Sequence, residues 1–399
     1  MAHYDVVIVG AGMVGATLAN LLAQISSENK AHSKLKIAVV EHQLPKKVTE
    51  DDQAGLRVSA ISLGSERILR EAQAWPSILK IRSCPYKELV TWEAPQHRLS
   101  FSNELSETEY LGHIIENNVI QQSLIEQFKD LDVELLMGRK VQSITRKDSH
   151  HILSFADESH IKATLLVAAD GANSMIRTLA GIGCTGWNYT QHCFVINIET
   201  EFAQQSVTWQ QFMPSGPRAF LPLFGQNASL IWYDSPQRIQ QLKALTYAQL
   251  KQEILTNFPV LPGDFSVQNC ASFPITRQHA NHYYKNGVVL VGDAAHTINP
   301  LAGQGVNIGL QDAKSLSTVI ANAIAEGRGI SCNEVLKDYE KSRRTQNLLM
   351  MSAMDLFYYS FSNTNPILRN LRSGILSLAQ QLPFAKKKVL EHALGLSGK

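Results

Sequence analysis

The sequence has few cysteines and no pairing pattern among them. Five cysteines occur in 399 residues, and no two of them form a Cys-x-x-Cys pair: Cys84, Cys184, Cys193, Cys270 and Cys332. A disulfide framework or a zinc site normally shows an even number or a characteristic spacing. The sequence therefore predicts neither of these, and a reducing cytoplasm is the compartment that fits best.

Long apolar runs and an excess of one charge are also missing. No run reaches the roughly 18–20 apolar residues that span a bilayer, and the first residues lack the basic and apolar regions of a signal peptide. Lys and Arg number 37 against 35 Asp and Glu, so the formal charge is only +2. A nucleic-acid-binding surface would need clustered basic residues. We expect a globular protein that is soluble or attached to a membrane surface, with no nucleic-acid partner.

The first forty residues have the pattern of a strand, a glycine turn, a helix and a second strand. Tyr4–Val9 and Leu35–Glu41 are short apolar runs that are typical of buried parallel strands. Gly10-x-Gly12-x-x-Gly15 follows the first run, a helical pattern follows the glycines, and Ser26–Ser33 looks like a polar loop. The segment predicts a right-handed βαβ unit.

This glycine spacing has a mechanical reason in dinucleotide-binding proteins. The first glycine makes a tight turn, the second lets the backbone approach a pyrophosphate, and the third lets helix and strand pack closely. Glu41 ends the second strand, where a carboxylate can accept hydrogen bonds from a ribose diol. The alternative is a structural glycine turn that binds no nucleotide.

Two further motifs favour FAD over NAD. Asp170-Gly171 and Gly292-Asp293 each follow an apolar strand, and an aspartate at such a position can reach a ribityl hydroxyl. Gly303 and Gly305 precede a helix, whose first N–H groups and dipole would stabilise negative charge on a reduced flavin. An NAD enzyme has no need of this second set.

The middle of the chain changes character. Ile114–Leu131 has helical spacing, whereas alternating aromatic-rich stretches from Cys193 to Tyr233 predict antiparallel strands. A long helical region follows from about Asn307. We predict an α/β fold: a Rossmann-like FAD-binding domain (1–82, 103–182 and 277–360), an inserted β-rich substrate domain (83–102 and 183–276) and a helical C-terminal region (361–399).

These motifs, in this order, resemble the class A FAD-dependent aromatic hydroxylases. The run from Gly292 to Asp312 and the segment Leu56–Ser62 are similar to the ubiquinone-biosynthesis branch of that family, and several stretches, such as Thr208–Phe212, are most like the member that acts on the late demethoxy intermediate. The resemblance implies hydroxylation of a polyprenylated 3-methyl-6-methoxy-1,4-benzoquinol. Open alternatives are a sister hydroxylase of another ring position, another flavoenzyme, and a non-catalytic FAD-binding member of the quinone-synthesising assembly.

The resemblance also implies roles for individual residues. Gly10, Gly12, Gly15 and Glu41 would hold the ADP half of FAD, while Arg57, Asn117, Asp170, Gly292 and Asp293 would contact other parts of the cofactor, with Asp293 on the ribityl chain. Pro300 would place its carbonyl beside the isoalloxazine, and Gly303, Gly305, Val306 and Asn307 would lie at its pyrimidine edge. We assign no side-chain base. His296 is interpreted as a structural residue in a loop rather than a catalytic base.

The implied chemistry uses FAD and dioxygen, with NADPH or a separate reductase as electron donor. A flavin C4a-hydroperoxide would deliver oxygen to the ring, and the protein would exclude water and orient the substrate. Trp209, Phe212, Phe220, Leu221 and Pro222 either line the substrate pocket or form ordinary β-sheet core.

The last forty residues have an apolar stripe from Ile367 to Leu382 and a basic run, Lys386–Lys388. This pattern fits contact with an anionic bilayer, and packing against the FAD domain or a second subunit fits equally well. We expect association with other ubiquinone-biosynthesis proteins, a location in the cytoplasm or at the inner membrane, and a homo-oligomer as one arrangement.

Overall fold

The computed structural model describes residues 1–28, 34–299, 305–363 and 383–396, together with residues 372, 374 and 380. In chain order its strands are β1 Ala2–Val9, β2 Ile37–Glu41, β3 Val58–Ser62, β4 Cys84–Tyr86, β5 Glu88–Trp92, β6 Arg98–Ser102, β7 Gly112–Glu116, β8 Glu134–Met137, β9 Val141–Lys147, β10 His150–Phe155, β11 His160–Ala168, β12 Cys184–Thr200, β13 Val207–Gln211, β14 Arg218–Pro222, β15 Asn227–Asp234, β16 Phe265–Ala280, β17 Tyr284–Lys285, β18 Val288–Leu290 and β19 His296–Thr297.

The described helices run along and between these strands. They are α1 Met13–Glu28, α2 Leu63–Glu71, α3 Trp75–Ile81, α4 Asn117–Glu126, α5 Phe128–Leu131, α6 Met175–Leu179, α7 Pro236–Lys243, α8 Tyr247–Asn257, α9 Gly305–Ala325, α10 Asn333–Phe361 and α11 Pro383–Ala393. Short 3-10 turns cover Asn103–Ser106 and Gly292–Ala294.

The first sheet has a parallel centre. Its main order is β17-β18-β11-β1-β2-β8, and β10 and β9 extend it from β11. The strands β18, β11, β1, β2 and β8 are parallel, and the Val- and Ile-rich runs of β1, β2 and β18 are buried, as expected between helices. Val9 lies beside Val40 and Ala168, and Ala168 beside Leu290, so these strands all end at one side, here called the carboxyl edge.

The second sheet is largely antiparallel, with the order β19-β16-β12-β15-β14-β13-β5-β6. Alternation along its strands divides the side chains between two faces. One face, which carries Phe194, Phe220 and Trp232, is covered by α7 and α8. The other face carries Val195 and Ile231 and contacts the segment around Leu56 of the first part of the chain. The predicted antiparallel strands between Cys193 and Tyr233 are confirmed.

A small third sheet, β3-β7-β4, corrects one of the sequence-based expectations. The helix predicted from Ile114 begins only at Asn117, because Ile114 pairs with Ala60 on one side and Cys84 on the other. Paired on both sides, the β-branched Ile114 and Ile115 belong to a strand despite their helical spacing. The strand at Cys84 thus joins this sheet rather than the large antiparallel one, and the exact domain boundaries stay a prediction.

The prediction of a polar loop at Ser26–Ser33 is also wrong in part. Residues 26–28 belong to α1, because adding a turn to an existing helix requires only modest propensity; residues 29–33 lie outside the described part of the chain. The predicted second strand begins at Ile37 instead of Leu35. The α/β class, with an antiparallel sheet and a helical C-terminal region, is confirmed.

The C-terminal region is tied to the antiparallel sheet. Arg372 is buried and forms an ion pair of 2.6 Å with Glu93, which follows β5. The arginine is therefore not available to a lipid headgroup, although it lies in the segment that resembles a membrane-binding helix. Most of the predicted apolar stripe from Ile367 to Leu382 lies outside the described residues. In the described chain no helix is both long and apolar enough to span a bilayer.

The crossing of α1 and α9 depends on a glycine. A Cβ added at Gly309 would lie 2.6 Å from Val14 Cγ2 and 3.3 Å from the Cα of Gly292. We expect Gly309→Val to lower the melting temperature of the purified protein, because overpacking a closed contact costs about 1–3 kcal/mol. The matched control is Gly329→Val, since a Cβ there meets nothing within 4 Å. Equal melting temperatures for the two variants would contradict this packing.

Candidate active site

The first glycine turn lies at the carboxyl edge, between β1 and α1. Gly10 has φ +108°, and a Cβ there would lie 2.3 Å from the carbonyl oxygen of Ala169. A Cβ on Gly15 would lie 2.0 Å from the carbonyl oxygen of Gly10. These two positions therefore require glycine. At Gly12 an added Cβ meets nothing within 4 Å, so this part of the backbone is open to an approaching group.

Glu41 lies against the same turn. Its Oε2 accepts a hydrogen bond of 2.8 Å from the backbone N–H of Ala11, and its Oε1 accepts one of 3.0 Å from the N–H of Gln43. A carboxylate has about four acceptor positions, so Glu41 retains capacity for a ribose hydroxyl. On the other side of the turn, Gln121 of α4 donates to the carbonyl oxygen of Ala11 at 2.9 Å. No motif in the sequence indicated a role for this residue.

The second turn, Gly292–Asp293, follows β18 at the same edge. Gly292 has φ +58°, a conformation that favours glycine. The side chain of Asp293 reaches solvent, yet the surrounding protein desolvates it enough to raise the pKa of the carboxyl, an effect opposed by the positive charges of His296 and Arg57. Both observations describe a carboxylate in an open recess. No donor among the described side chains hydrogen-bonds to it.

Arg57 and Asn117 lie on neighbouring elements beside this recess. Arg57 is exposed just before β3, and its charge acts on Asp293. Asn117 is the first residue of α4; its N–H donates to the carbonyl oxygen of Arg57 at 2.9 Å, and its Oδ1 accepts from the Ser59 hydroxyl at 2.7 Å. Asn117 thus orients the Arg57 backbone, and its Nδ2 is the group that remains to donate to a ligand.

The helix α9 begins at Gly305, so Gly305, Val306 and Asn307 form its first turn. The first N–H groups of a helix have no partner within it and are suited to an anion or a carbonyl oxygen. The side chain of Asn307 is buried and holds β3: its Oδ1 accepts from Ser62 N at 3.1 Å, and its Nδ2 donates to Ala60 O at 2.8 Å. Pro300 and Gly303, both predicted site residues, lie outside the described part of the chain.

The carboxylate of Asp170 is hydrogen-bonded within the turn that it begins. Its carboxylate accepts hydrogen bonds from the Ser174 hydroxyl at 2.5 Å and from Ile176 N at 3.1 Å. The neighbouring Arg177 is buried and donates to the carbonyl oxygens of Ala172 and Ala294, each at 2.9 Å. Arg177, which sequence reasoning missed, joins the Asp170 turn to the Gly292–Asp293 turn. The predicted cofactor contact of Asp170 stays a prediction.

Beneath these turns lies a buried polar network centred on Asp312 of α9. Its Oδ2 accepts from His296 Nε2 at 2.5 Å and from Gly292 N at 3.1 Å, and its Oδ1 accepts from Arg343 Nε at 2.8 Å and from Asn347 Nδ2 at 3.0 Å. Burial opposes ionisation, but His296 and Arg343 outweigh it and hold the pKa of Asp312 at about 2. His296 is therefore engaged in structure, in the short strand β19 rather than in a loop.

The five predicted pocket residues, which lie on or next to β13 and β14, do not all face the same side of the antiparallel sheet. Trp209 and Phe220 stack with ring centroids 5.9 Å apart in the core under α7 and α8. Phe212 and Leu221 belong to a separate apolar cluster, in which Phe212 stacks on Phe361 of α10 at 4.3 Å. Pro222 is buried at the end of β14. The core interpretation fits Trp209 and Phe220, while Phe212 and Leu221 stay candidates for the pocket.

The face of this sheet that carries Val195 and Ile231, here called the inner face, is hydrogen-bonded to the segment that precedes Arg57. Asn197 of β12 is buried, and its Nδ2 donates to the carbonyl oxygens of Ala54 at 2.8 Å and Gly55 at 3.1 Å. Leu56 packs against the apolar cluster of Val195 and Tyr233. The face of β12 and β15 is thereby fixed beside the recess that holds Asp293.

The residues present fit FAD. The open backbone at Gly12, the carboxylate of Glu41 and the recessed carboxylate of Asp293 lie along one edge, so that a pyrophosphate, a ribose and a ribityl chain each have a suitable partner type. The dipole of α9 points its positive end to the same region. The contacts of individual residues with FAD stay predictions.

Comparison with known proteins agrees with this geometry. Residues 3–352 match the family described as FAD binding domain. The chain is 42% identical over 393 residues to the 3-demethoxyubiquinol 3-hydroxylase of Escherichia coli K12, with 98% of each chain covered, and 30% identical to the ubiquinone biosynthesis monooxygenase COQ6 of Xenopus tropicalis, with 98% and 93% covered. The fold is similar to that of p-nitrophenol 4-monooxygenase PnpA from Pseudomonas putida, with a TM-score of 0.79, 19% identity and complete coverage of both chains.

We expect Asp293→Ala to leave the protein folded but to weaken FAD binding at least about tenfold, since hydrogen bonds to a charged group contribute about 1.5–3 kcal/mol. The measurement is the flavin-to-protein absorbance ratio after purification, followed by titration with FAD. Asp130→Ala is the matched control, because Asp130 is exposed on α5. Full flavin occupancy in Asp293→Ala would contradict the assignment.

Asp312 gives a prediction about pH. Its pKa is lowered from 3.8 to about 2 in the folded protein, so its ionised form stabilises the fold above pH 3.8, and this contribution is lost as the pH falls toward 2. The free energy of unfolding of Asp312→Asn should fall below that of the wild type at pH 6, and the gap should shrink by about 1 kcal/mol at pH 3.

Urea unfolding at the two pH values measures this difference, with Asp130→Asn as the exposed control. A gap that stays constant or widens at pH 3 would show that the carboxylate of Asp312 is not held ionised by His296 and Arg343.

Proposed function

Because the chain belongs to the FAD-binding-domain family, we propose that it is an FAD-dependent monooxygenase that hydroxylates the ring of a polyprenylated benzoquinol in ubiquinone biosynthesis. The substrate that fits best is 2-polyprenyl-3-methyl-6-methoxy-1,4-benzoquinol, the demethoxy intermediate. The main support is the similarity, over 98% of both chains, to a protein named 3-demethoxyubiquinol 3-hydroxylase. The recess at the carboxyl edge, beside an apolar sheet face, is a suitable place for this chemistry.

In this proposal the chain holds FAD along its carboxyl edge. Gly10, Gly12 and Gly15 bring the backbone to the pyrophosphate, Glu41 binds the ribose, and Asp293 binds the ribityl chain. Bound FAD supplies the two-electron reactivity toward dioxygen that amino-acid side chains lack. Pro300, Gly303 and the first turn of α9, together with Arg57 and Asn117, complete the cofactor set as the family resemblance implies.

The protein's own contribution is to position the ring and to exclude water. The inner sheet face offers Val195 and Ile231 beside Leu56, and the neighbouring cluster offers Phe212 and Leu221. Apolar walls of this kind suit a polyprenyl tail and keep water away from the reacting atoms. We assign no side-chain base, since the hydroxyl groups of a benzoquinol already make its ring electron-rich.

A second candidate substrate is a polyprenylphenol or methoxyphenol hydroxylated at another position of the ring. It is favoured by the similarity to the protein named ubiquinone biosynthesis monooxygenase COQ6, which also extends over 98% of this chain. Both candidates use the same cofactor site, and the pocket wall rather than the glycine turns would decide between them.

We expect the enzyme to act at the membrane surface, because the proposed substrate is a lipid. Leu349, Leu356 and Tyr359 form an exposed apolar stripe on α10, with exposed fractions of 70%, 70% and 55%. Such a stripe fits peripheral contact with a bilayer. We propose a cytoplasmic protein that docks on the inner membrane and associates with other ubiquinone-biosynthesis proteins, and a homo-oligomer is compatible with the same surface.

Quinone lipids of a strain lacking this protein test the function directly by mass spectrometry. Accumulation of the demethoxy, ring-methylated intermediate supports the proposal. Accumulation of a polyprenylphenol or a methoxyphenol would show that the enzyme hydroxylates another ring position. An unchanged profile overturns the assignment to this pathway. Restoration by the wild type but not by Asp293→Ala would connect the phenotype to the cofactor site.

Neighbouring residues of β14 give a prediction about the pocket wall. Leu221→Trp should raise the KM for the benzoquinol at least about tenfold with little change in melting temperature, because it adds bulk to the proposed pocket. Phe220→Ala should cost about 3–5 kcal/mol of stability, because it empties a buried core position, and should leave the KM of the folded enzyme unchanged. Steady-state kinetics and thermal melting measure the two effects, and the reverse pattern would place the ring on the other face.

A further inference from the structure

A cavity of about 360 Å³ lies on the surface between α10 and the turn that precedes β17. Its cationic lining residues are Lys337, Lys341 and Arg344, which lie on one face of α10 at helical spacings of four and three residues. Asn281 and His282 line the opposite side. None of these residues belongs to the cofactor site described above.

The cationic side chains that line the cavity outnumber its carboxylates. Its one carboxylate, Glu340, is occupied: Oε1 accepts the N–H of Tyr283 at 2.8 Å and lies 3.7 Å from His282 Nδ1. Within the described part of the chain, Lys337 and Lys341 form no ion pair. With Arg344 they leave the cavity positively charged, which favours an anionic ligand.

The position of the cavity relates it to the carboxyl edge. The strand β17 runs antiparallel to β18, and Leu290 N donates to Tyr283 O at 2.8 Å. The turn at His282 therefore lies at the end of β18, which leads directly into Gly292 and Asp293. Ligands of open α/β sheets bind outside the carboxyl ends of the strands, so the cavity is on the side of the molecule where the cofactor is expected.

We propose that this cavity binds the phosphate groups of the nicotinamide dinucleotide that reduces the flavin. This inference rests on the proposed function, since a flavin monooxygenase takes up two electrons in each turnover. NADPH or NADH would pass a hydride to the oxidised isoalloxazine and leave as NADP⁺ or NAD⁺, with the two electrons and the hydrogen taken up by the flavin.

The chemistry of the cavity selects this class of ligand. Lysine and arginine together form strong charge-assisted hydrogen bonds with phosphate oxygens. The glycine turn at Gly10–Gly15 is already assigned to the pyrophosphate of FAD, and the sequence has no second strand followed by such a turn and a helix. The cavity is concave and includes a partly buried arginine, which suits a small anion better than the flat surface of a protein or a bilayer.

The test is anaerobic stopped-flow reduction of the FAD-loaded protein by NADPH and by NADH, in the presence of the benzoquinol substrate. The dependence of the reduction rate on nucleotide concentration gives a Kd and a limiting rate. We expect Lys341→Glu to raise the Kd at least about tenfold with little change in the limiting rate or in flavin content, because it removes one charge-assisted contact and adds a like charge. The Kd should also rise with ionic strength, as for other exposed charges.

Lys162→Glu is the matched control, because Lys162 is exposed on β11 in the first half of the strand, away from the carboxyl edge, and makes the same change of charge. An effect on NADPH but not on NADH would assign the cavity to the 2′-phosphate, and equal effects would assign it to the pyrophosphate; both support the proposal.

Equal Kd values for Lys341→Glu, Lys162→Glu and the wild type would overturn it. So would a wild-type flavin that neither nucleotide reduces while a reductase protein does, an outcome that leaves the proposed hydroxylation intact. Loss of binding to anionic lipid vesicles in Lys341→Glu, with an unchanged Kd for NADPH, would assign the surface to the membrane and likewise overturn the proposal.

Discussion

The candidate site depends on one buried carboxylate. Asp312 is fully buried on α9, and its two oxygens hold the N–H of Gly292, the ring of His296, the guanidinium of Arg343 and the amide of Asn347. Removing one partner of such a network leaves a buried charge without compensation, which is far more costly than the net contribution of the intact pair. The Gly292–Asp293 turn is therefore fixed to α9 and α10 together, and these two helices hold the recess around Asp293.

In the proposed function, one face of the antiparallel sheet serves stability and the other serves substrate recognition. Its outer face is closed by α7 and α8 and carries large core side chains such as Phe220 and Trp232. Its inner face is anchored to the backbone at Ala54 and Gly55 by Asn197, directly before the exposed Arg57. Since neighbouring residues on one strand point to opposite faces, the inner face can change its ligand preference without disturbing the core.

The sequence was sufficient for features whose physical requirement is local. Gly10 and Gly15 must lack a side chain at contacts of 2.3 and 2.0 Å, and the apolar runs of β1, β2 and β18 are buried by helices on both faces. It was insufficient where the decisive partner is distant in the chain. Ile114 forms a strand because it pairs with Ala60 and Cys84. Arg177 joins two turns through the carbonyl oxygen of Ala294, and the buried carboxylate of Asp312 depends on its ion pair with Arg343. The faces of Trp209 and Phe220 likewise depend on α7 and α8, which no local pattern reveals.

The most direct test of the whole account is hydroxylation by the purified, FAD-loaded protein under ¹⁸O₂, with a short-tailed demethoxy benzoquinol and a nicotinamide dinucleotide as reductant. The account predicts a ring-hydroxylated product with one ¹⁸O atom from dioxygen, formed in proportion to the reductant consumed. Oxidation of the reductant with release of hydrogen peroxide alone, or a product whose new oxygen comes from water, would contradict it.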